Sequence, residues 1–371
     1  MARDNILFLT LQVFSATGGI EKVCKVVGKA LTEIAGASPG FNVKVFSMYD
    51  RAGEIDEKYI PSHNFRGFGK QKASFVKAAV IEGKKSSKII LSHVNLLLVG
   101  FFIKLFSPKT KIFLFAHGIE VWGPLSKFRK YMLHRCDYIL CVSNYTKTRM
   151  VEQFKLPEEK LIVLNNCLDP YLPPPCDTEK YAELQKRYKI NPGDFVLLTL
   201  TRFSSKEKYK GYDNVLYSLN TLRKEYPNIK YLLAGKYDAG EKSRLDAIIN
   251  KLSLQAYVIF AGYVPDAELA AHYKLANLYV MPSKKEGFGI VFIEAMYYGL
   301  PVIAGNADGS VDALCNGKLG LLVNPDDGNE LTRTIADSLK NTEKLKPDNG
   351  ILMEHFSFEG YKKRIQQILL N

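Results

Sequence analysis

No apolar run in this chain reaches the roughly 18–20 residues that a bilayer-spanning helix needs. The apolar stretch from Leu96 to Phe106 is too short and lies between two strand-like segments. It reads as a packed crossover helix rather than one that dips into a membrane. The opening residues, Met1 to Asn5, run straight into Ile6-Leu7-Phe8-Leu9 without a signal-peptide core of sufficient length. Six cysteines, at positions 24, 136, 141, 167, 176 and 315, show neither Cys-x-x-Cys pairing nor histidine partners at zinc spacing. They read as reduced, mostly buried thiols, and a cytoplasmic location is the resulting expectation. The dinucleotide fingerprint Gly-x-Gly-x-x-Gly is missing, which removes support for a dehydrogenase. Asp-x-Asp is missing too, so no divalent ion is expected. No nucleic-acid recognition motif is evident, and nucleic acid is not expected as a partner.

What is present fits a soluble globular protein of two domains: 371 residues, 47% apolar and 24% charged. Strand-like and helical segments alternate throughout, which predicts α/β architecture with parallel sheets covered by helices on both sides. Strands are expected at 5–10, 42–47, 88–92, 111–116, 138–142 and 161–164, and again at 195–201, 229–234, 257–261, 277–281, 301–304 and 320–323. Between the two sets, Asp169-Pro170-Tyr171-Leu172-Pro173-Pro174-Pro175 is a stiff proline stretch. The expected division is therefore a first domain over 1–170, a linker at 171–175, a second domain over 176–354 and a final helix over 355–371. That last helix carries Phe358, Tyr361, Ile365 and Leu369 at helical spacing.

Charge is unevenly placed. Residues 1–170 hold 25 Lys and Arg against 14 Asp and Glu, most of the chain's formal +13. Between Arg66 and Lys130 there are 13 basic residues and only Glu82 and Glu120 to oppose them. An anionic membrane surface or a lipid-linked acceptor is the partner such a segment suggests, against plain solvation.

Two carboxylates, Glu286 and Glu294, bracket a Gly287-Phe288-Gly289 turn. The apolar run Leu278 to Met281 reads as a buried strand, and Ile290 to Tyr298 reads as a helix closed by Gly299 and Pro301. Strand, glycine loop and helix in that order leave backbone N–H groups at a positive helix end, which suits a phosphate. Acceptor-only carboxylates beside an anion site point to a ligand with both phosphates and hydroxyls, and a nucleotide-sugar fits. Gly18-Gly19-Ile20-Glu21 makes a similar turn after the first strand, where glycines let a ligand approach the backbone. Arg202 ends the first strand of the second half, and Lys210-Gly211 opens the next helix. Lys206 and Lys208 are nearby alternatives for the lysine.

The segments Ser283 to Gly289, Glu294-Ala295-Met296 and Gly299 to Ala304 together resemble the donor-site signature of retaining glycosyltransferases of family 4. The resemblance implies the GT-B fold, two Rossmann-like domains facing across a cleft, with the last helix crossing back to the first domain. It implies that Arg202 and Lys210 grip the donor diphosphate, and that His117 of Phe115-Ala116-His117-Gly118 touches the transferred sugar. Gly18 and Gly19 would lie near the acceptor and the leaving phosphate. Val264, after Gly262-Tyr263, would offer main-chain groups to the base, and Ser143 would line the site. The other five histidines are assigned to surfaces and helix interfaces. The sequence departs from the family pattern at Asn165, Cys167, Thr201 and Asp312.

What the resemblance implies is a metal-independent, cofactor-free retaining transfer from a UDP- or GDP-sugar to a saccharide or lipid-linked acceptor, in polysaccharide or glycolipid assembly. Glu286 would orient the sugar, and Glu294 would accept from ribose hydroxyls. An epimerase or a phosphorylase on the same fold, and a non-catalytic sugar-nucleotide or membrane-binding module, are the rival readings.

Overall fold

A computed structural model of the chain describes residues 4–37, 40–174 and 178–370. Pro175 of the expected linker and Cys176 lie outside the described residues. Contacts divide the chain into two units, one formed by residues 1–170 with 356–371 and the other by residues 171–355.

In the first unit the order is β1 (Asp4–Thr10), α1 (Gly19–Ala37), β2 (Phe41–Ser47), β3 (Phe65–Gly67), α2 (Lys72–Gly83), β4 (Lys88–Leu91) and α3 (Leu97–Phe106). Then follow β5 (Lys111–Ala116), α4 (Ile119–Trp122), α5 (Lys127–His134), β6 (Tyr138–Cys141), α6 (Asn144–Phe154) and β7 (Leu161–Val163). All seven strands are parallel, in the order β3-β2-β1-β4-β5-β6-β7. The order reverses between β1 and β4, the topological switch point outside which such sheets bind ligands at their carboxyl ends. β4 is buried along its whole length, as a parallel strand covered on both faces must be. Lys88 is part of that buried strand and not of the surface. One strand escaped the sequence pattern: β3 is three residues at the sheet edge, too short to show a period.

The second unit runs α7 (Thr178–Tyr188), β8 (Phe195–Leu200), α8 (Tyr212–Leu222), β9 (Ile229–Ala234), α9 (Ala239–Lys251), β10 (Val258–Gly262), α10 (Asp266–Leu275) and β11 (Leu278–Met281). It continues with α11 (Ile290–Tyr297), β12 (Val302–Gly305), α12 (Ser310–Ala313), β13 (Leu321–Val323), α13 (Gly328–Lys340) and α14 (Asn349–Phe356). Its six parallel strands are ordered β10-β9-β8-β11-β12-β13, with the switch between β8 and β11. Each unit thus repeats one doubly wound plan around its own apolar core.

The last helix, α15 (Phe358–Leu370), belongs to the first unit and packs on α1. Phe358, Tyr361, Ile365 and Leu369 are its buried residues. Lys362 binds Glu33 of α1 at 2.6 Å, and Arg364 donates to the carbonyl of Val163 at 2.8 Å. Cys24, Cys136, Cys141 and Cys167 are buried free thiols and Cys315 is half-buried. Burial pushes Cys24, Cys136 and Cys141 up to about 12, so none of these three supplies a thiolate near neutral pH. Among the described residues, no helix is long and apolar enough to cross a membrane.

Candidate functional site

In the second unit the switch point is assembled by backbone that tolerates no side chain. Lys210 ends a single tight turn, and Gly211 follows at φ 74°. A Cβ on Gly211 would stand 2.3 Å from the carbonyl oxygen of Pro282, which follows β11. The N–H of Lys284 donates to the carbonyl of Tyr209 at 2.8 Å. These contacts hold the Lys210 turn against the loop that leads to Glu286, so the chain places the cations and the glycine loop side by side. Tyr209 registers both neighbours: burial, then the charges of Glu207 and Glu286, raise its phenol well above the ordinary value.

Arg202 extends from the end of β8 with its side chain 69% exposed, and its guanidinium donates to Glu207. Lys210 donates to Thr201 Oγ1 at 2.6 Å and stands 3.5 Å from the same Glu207 carboxylate. One acid therefore bridges the two cations. Lys206 and Lys208 are exposed, whereas Lys210 is half-buried and held by these partners. The structure gives the anchored position to Lys210 and not to the two alternatives.

Gly287, Phe288 and Gly289 form the loop before α11, with Phe288 buried and Gly289 at φ 87°. Gly289 stands at the N-cap and offers no side-chain cap to the first turn. Glu286 is held through its backbone: its N–H donates to Asp308 Oδ2 at 2.7 Å, and its carbonyl accepts from Gly309 at 2.8 Å. Its side chain is thereby left to the loop's own geometry. Glu294, on α11, is only 1% exposed, and Tyr273 donates to its carboxylate at 3.3 Å. Val264 lies half-buried after β10, beside the exposed Tyr263, over whose ring Lys236 sits at 4.6 Å. Three strand spacings separate β10 from β11, about 14 Å at 4.7–4.9 Å each.

Asp308 was not legible as a site residue, yet it organises this loop. Its buried carboxylate accepts from Ser283 Oγ at 2.7 Å, from the Glu286 N–H at 2.7 Å and from the Ser310 N–H at 2.9 Å. Burial pushes it up to about 6, against the downward pull of its hydrogen bonds from Ser310 and Ser283. An acid raised in this way binds its proton more tightly folded than unfolded. Its contribution to stability is full below about pH 4 and is lost as the pH rises through 6. Asp308→Asn carries no such titration. Wild type should therefore lose roughly 1–3 kcal/mol relative to the variant between pH 4 and pH 7, then run parallel to it. Denaturation midpoints of both proteins across that range measure the difference, and a constant gap would refute the assignment.

In the first unit, Asp50 plays the corresponding part, again unseen in the sequence. Buried at the end of the turn after β2, it accepts from the N–H groups of Val13 (2.6 Å), Phe14 (3.2 Å) and Ser15 (2.7 Å), and from Ser47 Oγ (2.6 Å). This pins the β1–α1 loop that carries Gly18 and Gly19. A Cβ on Gly19 would meet nothing within 4 Å, so backbone at the start of α1 is open to approach. At Gly18 a Cβ would fall 2.3 Å from Glu21 Oε2. His117 follows β5. Its N–H donates to Glu120 at 2.6 Å, and its Nε2 lies 2.8 Å from the carbonyl of Ser92. A carbonyl only accepts, so Nε2 is the donor in this contact.

One expectation changes here. His93, assigned to a surface or helix interface, instead follows β4 at the switch point. Burial holds its pKa below the ordinary value, and Glu120, His117 and Glu21 all act on it electrostatically. It follows its strand as His117 follows β5, which is the signal that could have found it. Ser143 is fully buried and caps α6, its Oγ accepting from the Thr146 N–H at 3.1 Å and donating to Thr146 Oγ1 at 3.0 Å. Its hydroxyl is thus engaged within the fold at the cap of the helix that follows β6. Among the described residues, no group of three or more His, Cys, Asp or Glu is arranged to hold a metal ion.

Comparison with known proteins adds family and relatives to this geometry. The model of glycosyl transferases group 1 matches residues 180–369, and that of glycosyltransferase family 4 matches residues 17–171. A GDP-mannose-dependent alpha-(1-6)-phosphatidylinositol monomannoside mannosyltransferase of Mycolicibacterium smegmatis is 27% identical over 266 residues, covering 67% of this chain and 65% of that one. The protein of the same description from Mycobacterium tuberculosis is 31% identical over 241 residues, covering 60% and 58%. The chain therefore spans about three-fifths of the length of these curated relatives. Among solved structures, Anabaena Alr3699/HepE in complex with UDP and glucose superposes with a TM-score of 0.80 at 20% identity, over 99% of both chains.

Proposed function

The chain belongs to the glycosyl transferases group 1 family, and from that premise we propose that it is a retaining, metal-independent glycosyltransferase. The donor is a UDP- or GDP-sugar and the acceptor a saccharide or a lipid-linked saccharide, in polysaccharide or glycolipid assembly. The observation that carries this reading is the arrangement of Arg202 and Lys210 beside the Glu286 loop at the switch point of the second sheet. A nucleoside diphosphate gains charge as the glycosidic bond breaks, and two fixed cations stabilise that charge. The β10 end, with Val264, lies on the same sheet edge at a span that a nucleotide bridges and a lone monosaccharide does not.

In this assignment Glu286 orients the sugar hydroxyls, and Glu294 accepts from the ribose hydroxyls at the far end of the α11 turn. Gly287, Phe288 and Gly289 supply backbone to the phosphates. Gly18, Gly19 and His117 of the first unit serve the acceptor, the leaving phosphate and the transferred sugar. The acceptor hydroxyl attacks on the face from which the diphosphate departs, and a phosphate oxygen takes its proton. The site of work is the cytoplasm, at the inner face of the cell membrane where the acceptor is lipid-linked; the mycobacterial relatives are described as acting on phosphatidylinositol monomannoside.

Melting temperature measured with UDP, GDP and ADP in EDTA tests the donor site. A diphosphate present at about one hundred times its dissociation constant stabilises by about 2.7 kcal/mol. One of the three should raise the melting temperature clearly. Unchanged melting with all three at millimolar concentration would count against a donor site, and a shift only after adding magnesium would defeat metal independence.

A further inference from the structure

Three tyrosines pack together beside α11 in the second unit. Tyr273 of α10 and Tyr298 at the end of α11 stack nearly parallel, with ring centroids 5.3 Å apart. Tyr279 of β11 lies 6.2 Å from Tyr273 and meets Phe292 of α11 edge-on at 5.8 Å. Tyr273 and Tyr279 are fully buried, so each hydroxyl must find a partner inside the fold. Tyr279 donates to the carbonyl of Leu200 at 2.9 Å, two residues before Arg202. Tyr298 donates to the carbonyl of Pro173, in the proline stretch, at 2.7 Å.

Tyr273 differs from the other two in meeting a side chain assigned to the ligand. Its hydroxyl faces Glu294 Oε2 at 3.3 Å and the carbonyl of Val291 at 3.4 Å. Burial and then the charge of Glu294 raise the phenol well above its ordinary value, so the hydroxyl keeps its proton and remains a donor. A glutamate side chain has three torsions, and one left to rotate loses that freedom when a ligand binds. A hydrogen bond from a clamped ring removes part of that cost beforehand. Helix α10 starts two residues after Val264, and Tyr273 lies about two turns along it. One helix therefore ties the loop assigned to the base to the carboxylate assigned to the ribose.

We propose that Tyr273 is a positioning residue for the donor: its hydroxyl presents the Glu294 carboxylate to the ribose hydroxyls, and the rings of Tyr298 and Tyr279 hold it in place. The proposal rests on the donor-site reading and deepens it, since ribose recognition becomes a property of α10 as well as of α11. A tyrosine that only filled the core would affect stability and leave the choice of nucleotide alone.

Melting titrations of the full chain in EDTA give dissociation constants for whichever of UDP, GDP or ADP binds and for its 2′,3′-dideoxy counterpart. Wild type should prefer the ribonucleotide by roughly tenfold or more, since the dideoxy form offers Glu294 no hydroxyls. Tyr273→Phe keeps the ring and removes the donor. It should cut that preference about three- to tenfold, with little change in affinity for the dideoxy nucleotide. In a Glu294→Gln background the same change should have almost no further effect on the preference, because it acts through that carboxylate. Tyr298→Leu, which removes the stacked ring and leaves the Tyr273 hydroxyl, should lower the preference by a smaller factor, and it decides the matter if Tyr273→Phe does not fold. An undiminished preference in the folded variant, or an equal loss with Glu294 present and replaced, would overturn the proposal. So would a wild type indifferent to the ribose hydroxyls. Failure of UDP, GDP and ADP alike to bind wild type strikes the donor reading itself and this proposal with it, so the two failures are told apart.

Discussion

Replacing Arg202 or Lys210 by alanine should slow sugar transfer by about two to three orders of magnitude, the usual consequence of removing one fixed stabiliser of transition-state charge. The two variants should differ in what else they lose. Arg202 is largely exposed, so Arg202→Ala should fold like wild type and lose activity only. Lys210 is half-buried, holds Thr201 and neighbours Glu207, so Lys210→Ala should also melt lower. Lys206→Ala and Lys208→Ala serve as controls on exposed positions and should stay within about twofold of wild type. Steady-state kinetics with a donor identified from the melting experiment, together with the melting curves, distinguishes these outcomes. A silent Lys210→Ala beside a severe Lys208→Ala would show that the anchored lysine is not the working one.

Glu286→Gln and Glu294→Gln should separate turnover from binding. Glutamine preserves shape and removes charge, which matters at Glu294 because its burial would make alanine a packing change as well. A hydrogen bond to a charged acceptor is worth about 1.5–3 kcal/mol, or roughly ten- to over a hundredfold. Glu294→Gln should spend that loss on donor affinity, seen as a raised KM and a smaller diphosphate-induced melting shift. Glu286→Gln should lower kcat by a comparable factor and leave the UDP or GDP shift intact, because the diphosphate alone carries no sugar for Glu286 to orient. Wild-type kinetics in both folded variants would remove this pair from the mechanism.

The alternation of strands and helices was plain in the sequence because buried parallel strands are continuous apolar runs, such as Leu278 to Met281 and Ile112 to Ala116. Glycine and proline mark where such runs stop, so the strand–loop–helix order around Glu286 could be read locally. What could not be read is whatever depends on partners far along the chain. Asp50 takes its donors from Val13 to Ser15, and Asp308 takes one from Ser283 and one from Glu286. A lone aspartate in a turn carries no local sign of such a role. The third strand was missed for a different reason, since Phe65-Arg66-Gly67 is held by its neighbour β2 and has no pattern of its own. His93 was within reach: the rule that strand carboxyl ends at a switch point carry ligands, applied to His117, applies equally to the residue after Ser92. Lys88 shows the converse, a lysine counted among surface charges that the structure places inside a strand.

Glu207 gives the cation pair a resident counterion. Arrival of a diphosphate is then an exchange of one anion for another, not the capture of an anion by bare charge. Chloride or a single phosphate gains little by entering, because it must displace a carboxylate already paired twice. A diphosphate, with more charge and more acceptors, can make the exchange favourable. Fewer bulk ions are released when it does, so donor affinity should decline only gently as ionic strength rises, unlike attraction to an open patch of lysines.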